Sequence, residues 1–253
     1  MRPRIKLALA NWMREEPRAN SEAGLLATVG VPGAATVAGL PLLSVLKREP
    51  TGPLAVSPER AAQLLQELSP GIDLRVEPGV AAQYRPTWLG GTRPKGTILM
   101  PTPSSGKLPL DVLLHELGHS DVHAGPSRAL RALGPLRVLG QVGGLGFAGL
   151  APLAYFTEME EGRRDKLMDW ASIAGGTGGT PMLIDEALAS IKALKHLDAA
   201  GRTGRLFGPV SRLAVARSLM RKRLLAAFGT YGLTTAGAIA APQVAKWWAH
   251  RDP

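Results

Sequence analysis

His115-Glu116-Leu117-Gly118-His119 constrains this chain more than any other stretch of it. Two histidines four residues apart share a face only if the segment is helical. They then stand one turn apart, and both imidazoles can reach a single metal ion. The glutamate after the first histidine lies beside the metal's open position, where it can take a proton from bound water. The flanks agree with a packed helix. Val112, Leu113 and Leu114 form an apolar face before the motif, and Gly118 removes a side chain where the helix would pack closely on a sheet. The chain has no cysteine, so thiolate ligation is excluded and any metal must sit on His, Asp or Glu. One zinc ion is the expected cofactor and hydrolysis the expected chemistry.

With 253 residues the chain can hold one sizeable core, or a small domain plus membrane helices. The distribution of apolar residues favours the second. Residues 24–46 carry no charge, and neither do residues 224–245, which lie between Arg221-Lys222-Arg223 and Lys246-Trp247-Trp248. Such flanks suit the two faces of a bilayer. Residues 138–156 are also uncharged, with Gly140 and Gly144 spaced for close helix contact. The shorter, glycine-rich run 170–184 reads as a weaker span, or as a buried or re-entrant segment.

A net charge of +10 asks for an anionic partner. Aromatic residues make up only 5 % and are not interleaved with basic ones for base stacking. Anionic lipid is therefore expected rather than specific nucleic acid. Lys47-Arg48, Arg128, Arg131, Arg137 and Arg221-Lys222-Arg223 then place the catalytic side of a multi-pass protein in the cytoplasm. Homo-oligomerisation is left open.

The expected organisation has six parts. They are a basic amphipathic arm (1–23), an apolar membrane helix (24–46) and a domain bearing the motif (47–137). An apolar helical hairpin (138–184), a helix with a basic linker (185–223) and a C-terminal apolar helix with its tail (224–253) follow. In the motif domain, Ser57, Pro58 and Glu59 supply a cap, a first-position proline and a first-turn acid for a helix reaching Leu68. Residues 72–76 alternate as a short strand does. Thr97, Ile98, Leu99 and Met100 read as a second strand, the candidate edge for holding an extended peptide substrate. The motif helix begins near Pro109.

A catalytic zinc site needs a third protein ligand. A third histidine ten residues after the first is excluded, because that position is Gly125. His123 shares the helical face but lies a further turn along, too far on a straight helix to join both others around one ion, and so stands only as an alternative ligand. Glu186 is the better candidate, opening a helix in Glu186-Ala187-Leu188-Ala189-Ser190 whose small residues allow tight packing beside the motif helix. Asp185 could orient a ligand histidine from behind. His196 and Tyr84 are weaker candidates for stabilising an oxyanion.

The order of apolar run, HExxH helix, two further apolar runs and a helix opening ExxA(S/D) resembles the membrane-embedded zinc metallopeptidases of gluzincin type. Glu186-Ala187-Leu188-Ala189-Ser190 is closer to the YugP-like neutral zinc metallopeptidases than to the HtpX-like peptidases. Ala226-Ala227-Phe228-Gly229-Thr230-Tyr231 resembles the former group's final membrane segment. The resemblance implies an α+β fold, mainly α with a small β-sheet, in which a zincin-like core carries several transmembrane helices. It also implies His115, His119 and Glu186 as zinc ligands and Glu116 as general base in peptide-bond hydrolysis. The rival reading is a non-enzymatic membrane-active protein, such as a virion or secretion component, with a degenerate metal site.

Overall fold

The strand and helix signals around residues 52–124 are realised closely. In a computed structural model, residues 52–89, 94–102, 104–202 and 210–251 are described, and the expected arm and first apolar helix (1–46) lie outside them. Ser57 caps α1 (Pro58–Leu68), its hydroxyl accepting the Arg60 N–H at 3.3 Å. Two strands pair antiparallel, β1 (Ala55–Val56) with β5 (Leu108–Pro109). A three-stranded sheet has the order β2-β4-β3, from β2 (Asp73–Glu77), β3 (Gln83–Arg85) and β4 (Thr97–Pro101). Pro109 then leads directly into α2 (Leu110–His123), which carries the motif.

The sheet corrects one expectation. Thr97, Ile98, Leu99 and Met100 are not an edge: β4 is paired with β2 on one side and β3 on the other, and all four residues are buried. Their unbroken apolar character was the sign, since an open edge strand exposes alternate residues. The edge strand that contacts α2 is β3.

The rest is helical. After α3 (Arg128–Leu139) the chain turns through a π-helical segment (Gly140–Leu145), α4 (Gly146–Leu150) and a 3-10 turn (Ala151–Phe156). Two long helices follow, α5 (Glu161–Arg202) and α6 (Val210–Ala249). No break falls at 184/185 or at 223/224, where domain boundaries were expected. Glu186 therefore lies mid-helix in α5 instead of opening a helix. Two stretches, Arg128–Phe156 and Arg212–Ala249, are long and apolar enough to cross a membrane.

The chain divides into two compact units. One comprises Gly39–Leu139 and Thr180–Gly232, and its core joins α1, β4 and α2 to the later turns of α5 and earlier turns of α6. Ile98, Met100, Leu113, Leu114, Leu117 and Leu197 are fully buried there. At roughly 1.5–3 kcal/mol for each such side chain, this core fixes the orientation of α2. The other unit includes Gly140–Gly179 and Leu233–Pro253, and packs through small residues.

Candidate metal centre

Helix periodicity assembles the site from two faces. On α2, His115, Gly118, His119 and Val122 line one side, while Leu113, Leu114 and Leu117 enter the core. On α5, Glu186, Ala189 and Ser190 share a face by the same spacing. The two faces meet at Gly118, where a Cβ would collide with the Ala189 carbonyl. Gly118 was expected to seat the motif helix on a sheet; it seats it on α5. That close approach brings Glu186 to the histidines.

Glu186 Oε2 lies 2.9 Å from His115 Nε2, and Glu186 Oε1 lies 3.6 Å from His119 Nε2. Tetrahedral ligands at about 2.0–2.1 Å from zinc stand roughly 3.3 Å apart, and the two distances bracket that value. Each imidazole is also held from behind. His115 Nδ1 is 3.4 Å from the Ser190 hydroxyl, and His119 Nδ1 is 3.2 Å from Asp185 Oδ2. Both rings thus turn Nε2 toward Glu186. Ser190 hydrogen-bonds behind His115, as a residue that fixes the tautomer of a metal-bound histidine does, whereas Asp185 stands behind His119 Nδ1 without an aligned hydrogen bond.

His123 ends α2 and reaches Asp185 Oδ1 at 2.8 Å, so His119, His123 and Asp185 form a second group of metal-competent side chains. The two carboxylates differ in how they are satisfied. Asp185 accepts from His123 at Oδ1 and from Arg137 Nη1 at Oδ2, 2.8 Å in each case. Glu186 Oε1 is buried and receives no well-aligned hydrogen bond, although Arg137 Nη2 is 2.8 Å away. That oxygen lies between the Arg137 guanidinium and His119 Nε2, 3.6 Å away, a position that a bound metal ion would also satisfy. The group His115, His119 and Glu186 fits one best.

Electrostatics follow from this packing. Burial alone would strip His119 of its proton, but hydrogen bonds to Asp185 and Glu186 overcome it and lift the group to about 10. Burial likewise opposes ionisation of Asp185 and Glu186. The histidines around each, joined at Glu186 by Arg137, hold both far below the usual carboxylate range. Without a metal, the site is an ion-pair network.

Glu116 is held differently. The Tyr84 N–H of edge strand β3 donates to its Oε2 at 2.6 Å, fixing the carboxylate at the wall of a cavity of about 420 Å³. His115, His119, Glu186, His123, Arg137 and Tyr231 share that wall, so the histidines, both carboxylates and a cation converge on one space. The weaker oxyanion candidates are engaged elsewhere: His196 Nε2 sits 2.9 Å from Asp121, and the Tyr84 hydroxyl donates to the Lys95 carbonyl at 2.8 Å.

Sequence reasoning missed the roles of Ser190 and Arg137. Ser190 was readable, because four residues after Glu186 it must share that ligand's face. Arg137 had no such signal and stood only as a flanking charge. The chain matches no family model, and no curated protein or solved structure is significantly similar to it.

Proposed function

We propose that this protein is a membrane-associated, zinc-dependent metallopeptidase with a zincin-like core, as its resemblance to the gluzincins implies. The observation that carries the reading is the buried Glu186 carboxylate meeting both HExxH histidines across the Gly118–Ala189 contact. His115, His119 and Glu186 would hold zinc. Bound there, the metal supplies an acidified water and a polarised carbonyl, the chemistry of an open His₂Glu site.

The chain's own residues do the remainder. Glu116 takes the proton of the attacking water and returns it to the leaving amine as the peptide C–N bond breaks. The Tyr84 N–H keeps that carboxylate aimed into the cavity. Ser190 and Asp185 hold the two imidazoles, and Asp185 in turn is braced by His123 and Arg137. An extended peptide would lie beside β3, the edge strand that lines the cavity, using main-chain groups other than the Tyr84 N–H held by Glu116. Multi-pass insertion into anionic lipid, with the site on the cytoplasmic side, completes the reading. It is supported by the two long apolar stretches and the basic clusters.

Metal analysis and peptidase assays on the detergent-solubilised protein test it. The unaltered protein should carry one zinc per chain and cleave an unstructured protein such as casein. Glu116→Gln should keep the zinc and lose about 10²–10⁴-fold in rate, whereas Glu186→Ala should lose the zinc. Full proteolysis by the Gln variant would end the proposal.

A further inference from the structure

Arg137 and Arg223 both line the cavity, and Arg223 pairs with Asp111 at 2.7 Å. Arg137, beside the proposed ligands, is left without a chemical task by the proposed peptidase machinery. Its guanidinium makes two unequal contacts. Nη1 donates a well-aligned bond to Asp185 Oδ2 at 2.8 Å, and Asp185 is fully buried. Nη2 lies 2.8 Å from Glu186 Oε1 but makes no aligned hydrogen bond with it. A guanidinium is a rigid planar fork, so anchoring one nitrogen fixes where the other points. Here the anchored nitrogen meets the Asp185 oxygen that lies 3.2 Å from His119 Nδ1, and the loosely held one meets the carboxylate that would ligate the metal. The side chain is 23 % exposed and lines the same cavity as His115, Glu116 and His119.

We propose that Arg137 is a substrate-contacting residue, which donates from Nη2 to an oxyanion formed at the metal centre. The inference rests on the metallopeptidase reading and adds a residue to it. Charge balance supports the assignment. Asp185, Glu186 and Glu116 bring three negative charges to the candidate centre, a divalent cation with Arg137 offsets them, and Asp111 is offset by Arg223. Glu186 no longer needs Nη2 once it ligates a metal, so that donor becomes available for charge developing on the substrate. A preorganised donor aimed at developing negative charge stabilises a transition state more than a ground state. Asp185 then has two tasks: it orients His119 and anchors Arg137.

The test uses cobalt in place of zinc, because its visible spectrum reports on anions at the metal without any turnover. Inorganic phosphate, a tetrahedral oxyanion, is the probe, titrated into the cobalt-loaded full-length protein and its variants. Arg137→Gln should bind one cobalt and lose about 10- to 100-fold in phosphate affinity, the range of one charge-assisted hydrogen bond. Arg137→Lys keeps the charge without the fork and should fall between the two. Unchanged phosphate affinity in cobalt-loaded Arg137→Gln overturns the inference and leaves the metal centre standing. Loss of cobalt from both variants marks Arg137 as a counter-ion for the carboxylates alone, and overturns it too. Failure of the unaltered protein to bind cobalt would sink the metal centre itself.

Discussion

The two units bury opposite kinds of side chain. In the unit that carries the metal centre, large aliphatic residues go inward, with Leu113, Leu114, Leu117 and Ile98 fully buried. In the other, the buried apolar residues are mostly alanines, joined by Pro152, Tyr155, Met168 and Pro242, and several large side chains point outward. Val142 is 76 % exposed, Trp170 67 % and Leu150 64 %. Helix contacts there run through glycine: a Cβ at Gly140 would strike the Gly178 carbonyl, and one at Gly144 the Ala174 carbonyl. The proposed membrane association accounts for the difference through the solvent. Water drives bulky apolar groups together, whereas lipid gives them no reason to hide and leaves close backbone contact as the main attraction between helices. Exposed apolar side chains of this size are what the proposed membrane association requires, and the candidate-site unit carries them too, at Leu139 and Leu225.

Substitutions separate the two regimes by size of effect. Leu117→Ala, in the core beneath the motif, should cost about 2–5 kcal/mol in denaturant melts of the detergent-solubilised protein. A loss under roughly 1 kcal/mol would remove the claim that a water-type core positions α2. Gly178→Leu should cost about 1–3 kcal/mol by overpacking, since even its Cβ meets the Gly144 Cα at 2.7 Å. If that variant melts like the parent, the small-residue contacts are not what holds the second unit together.

How legible each region was in the sequence follows from the same contrast. The motif domain could be read locally. Ser57-Pro58 marked its helix start, alternation gave β2 within one residue, and Pro109 marked the entry to α2. Fixed spacing of His115, Glu116 and His119 carried the chemistry, and small residues at 187–190 pointed to Glu186. Long-range pairing was not readable, so β4 passed for an edge when only the sheet order shows β3 on its other side. The later helices misled for another reason. Composition changes sharply at 184 and 223 while the backbone continues, because an α-helix satisfies its own hydrogen bonds whatever surrounds it. Arg137 escaped notice because its partners, Asp185 and Glu186, lie far along the chain and meet it only through tertiary packing.

The ion-pair network predicts a smaller, pH-dependent effect confined to the metal-centre unit. In chelator-treated protein, His119 is raised from 6.5 to about 10, so its contribution is complete below pH 6.5 and lost as pH climbs through about 10. Glu186 is depressed from 4.5, so its contribution is complete above pH 4.5 and lost as pH falls through its lowered value. Thermal melts should therefore show a plateau between about pH 4.5 and 6.5, declining on both sides. Metal binding must displace the His119 proton, so apparent zinc affinity should rise with pH through neutrality. A flat profile would mean that the histidine enters the cluster neutral.

The smallest expected change is the sharpest check on the outward-facing unit. Val142 is largely exposed in a π-helical turn, where deleting two methyl groups removes no packing contact. In water, a residue of this kind would sit in a core and its truncation would leave a void. Facing lipid or detergent, it leaves only a slightly shallower groove that solvent chains refill. Val142→Ala should thus shift stability by less than about 0.5 kcal/mol, against several for Leu117→Ala under the same conditions. A loss above roughly 1 kcal/mol would show that Val142 is packed against protein, and the inside-out pattern would no longer describe this half of the molecule.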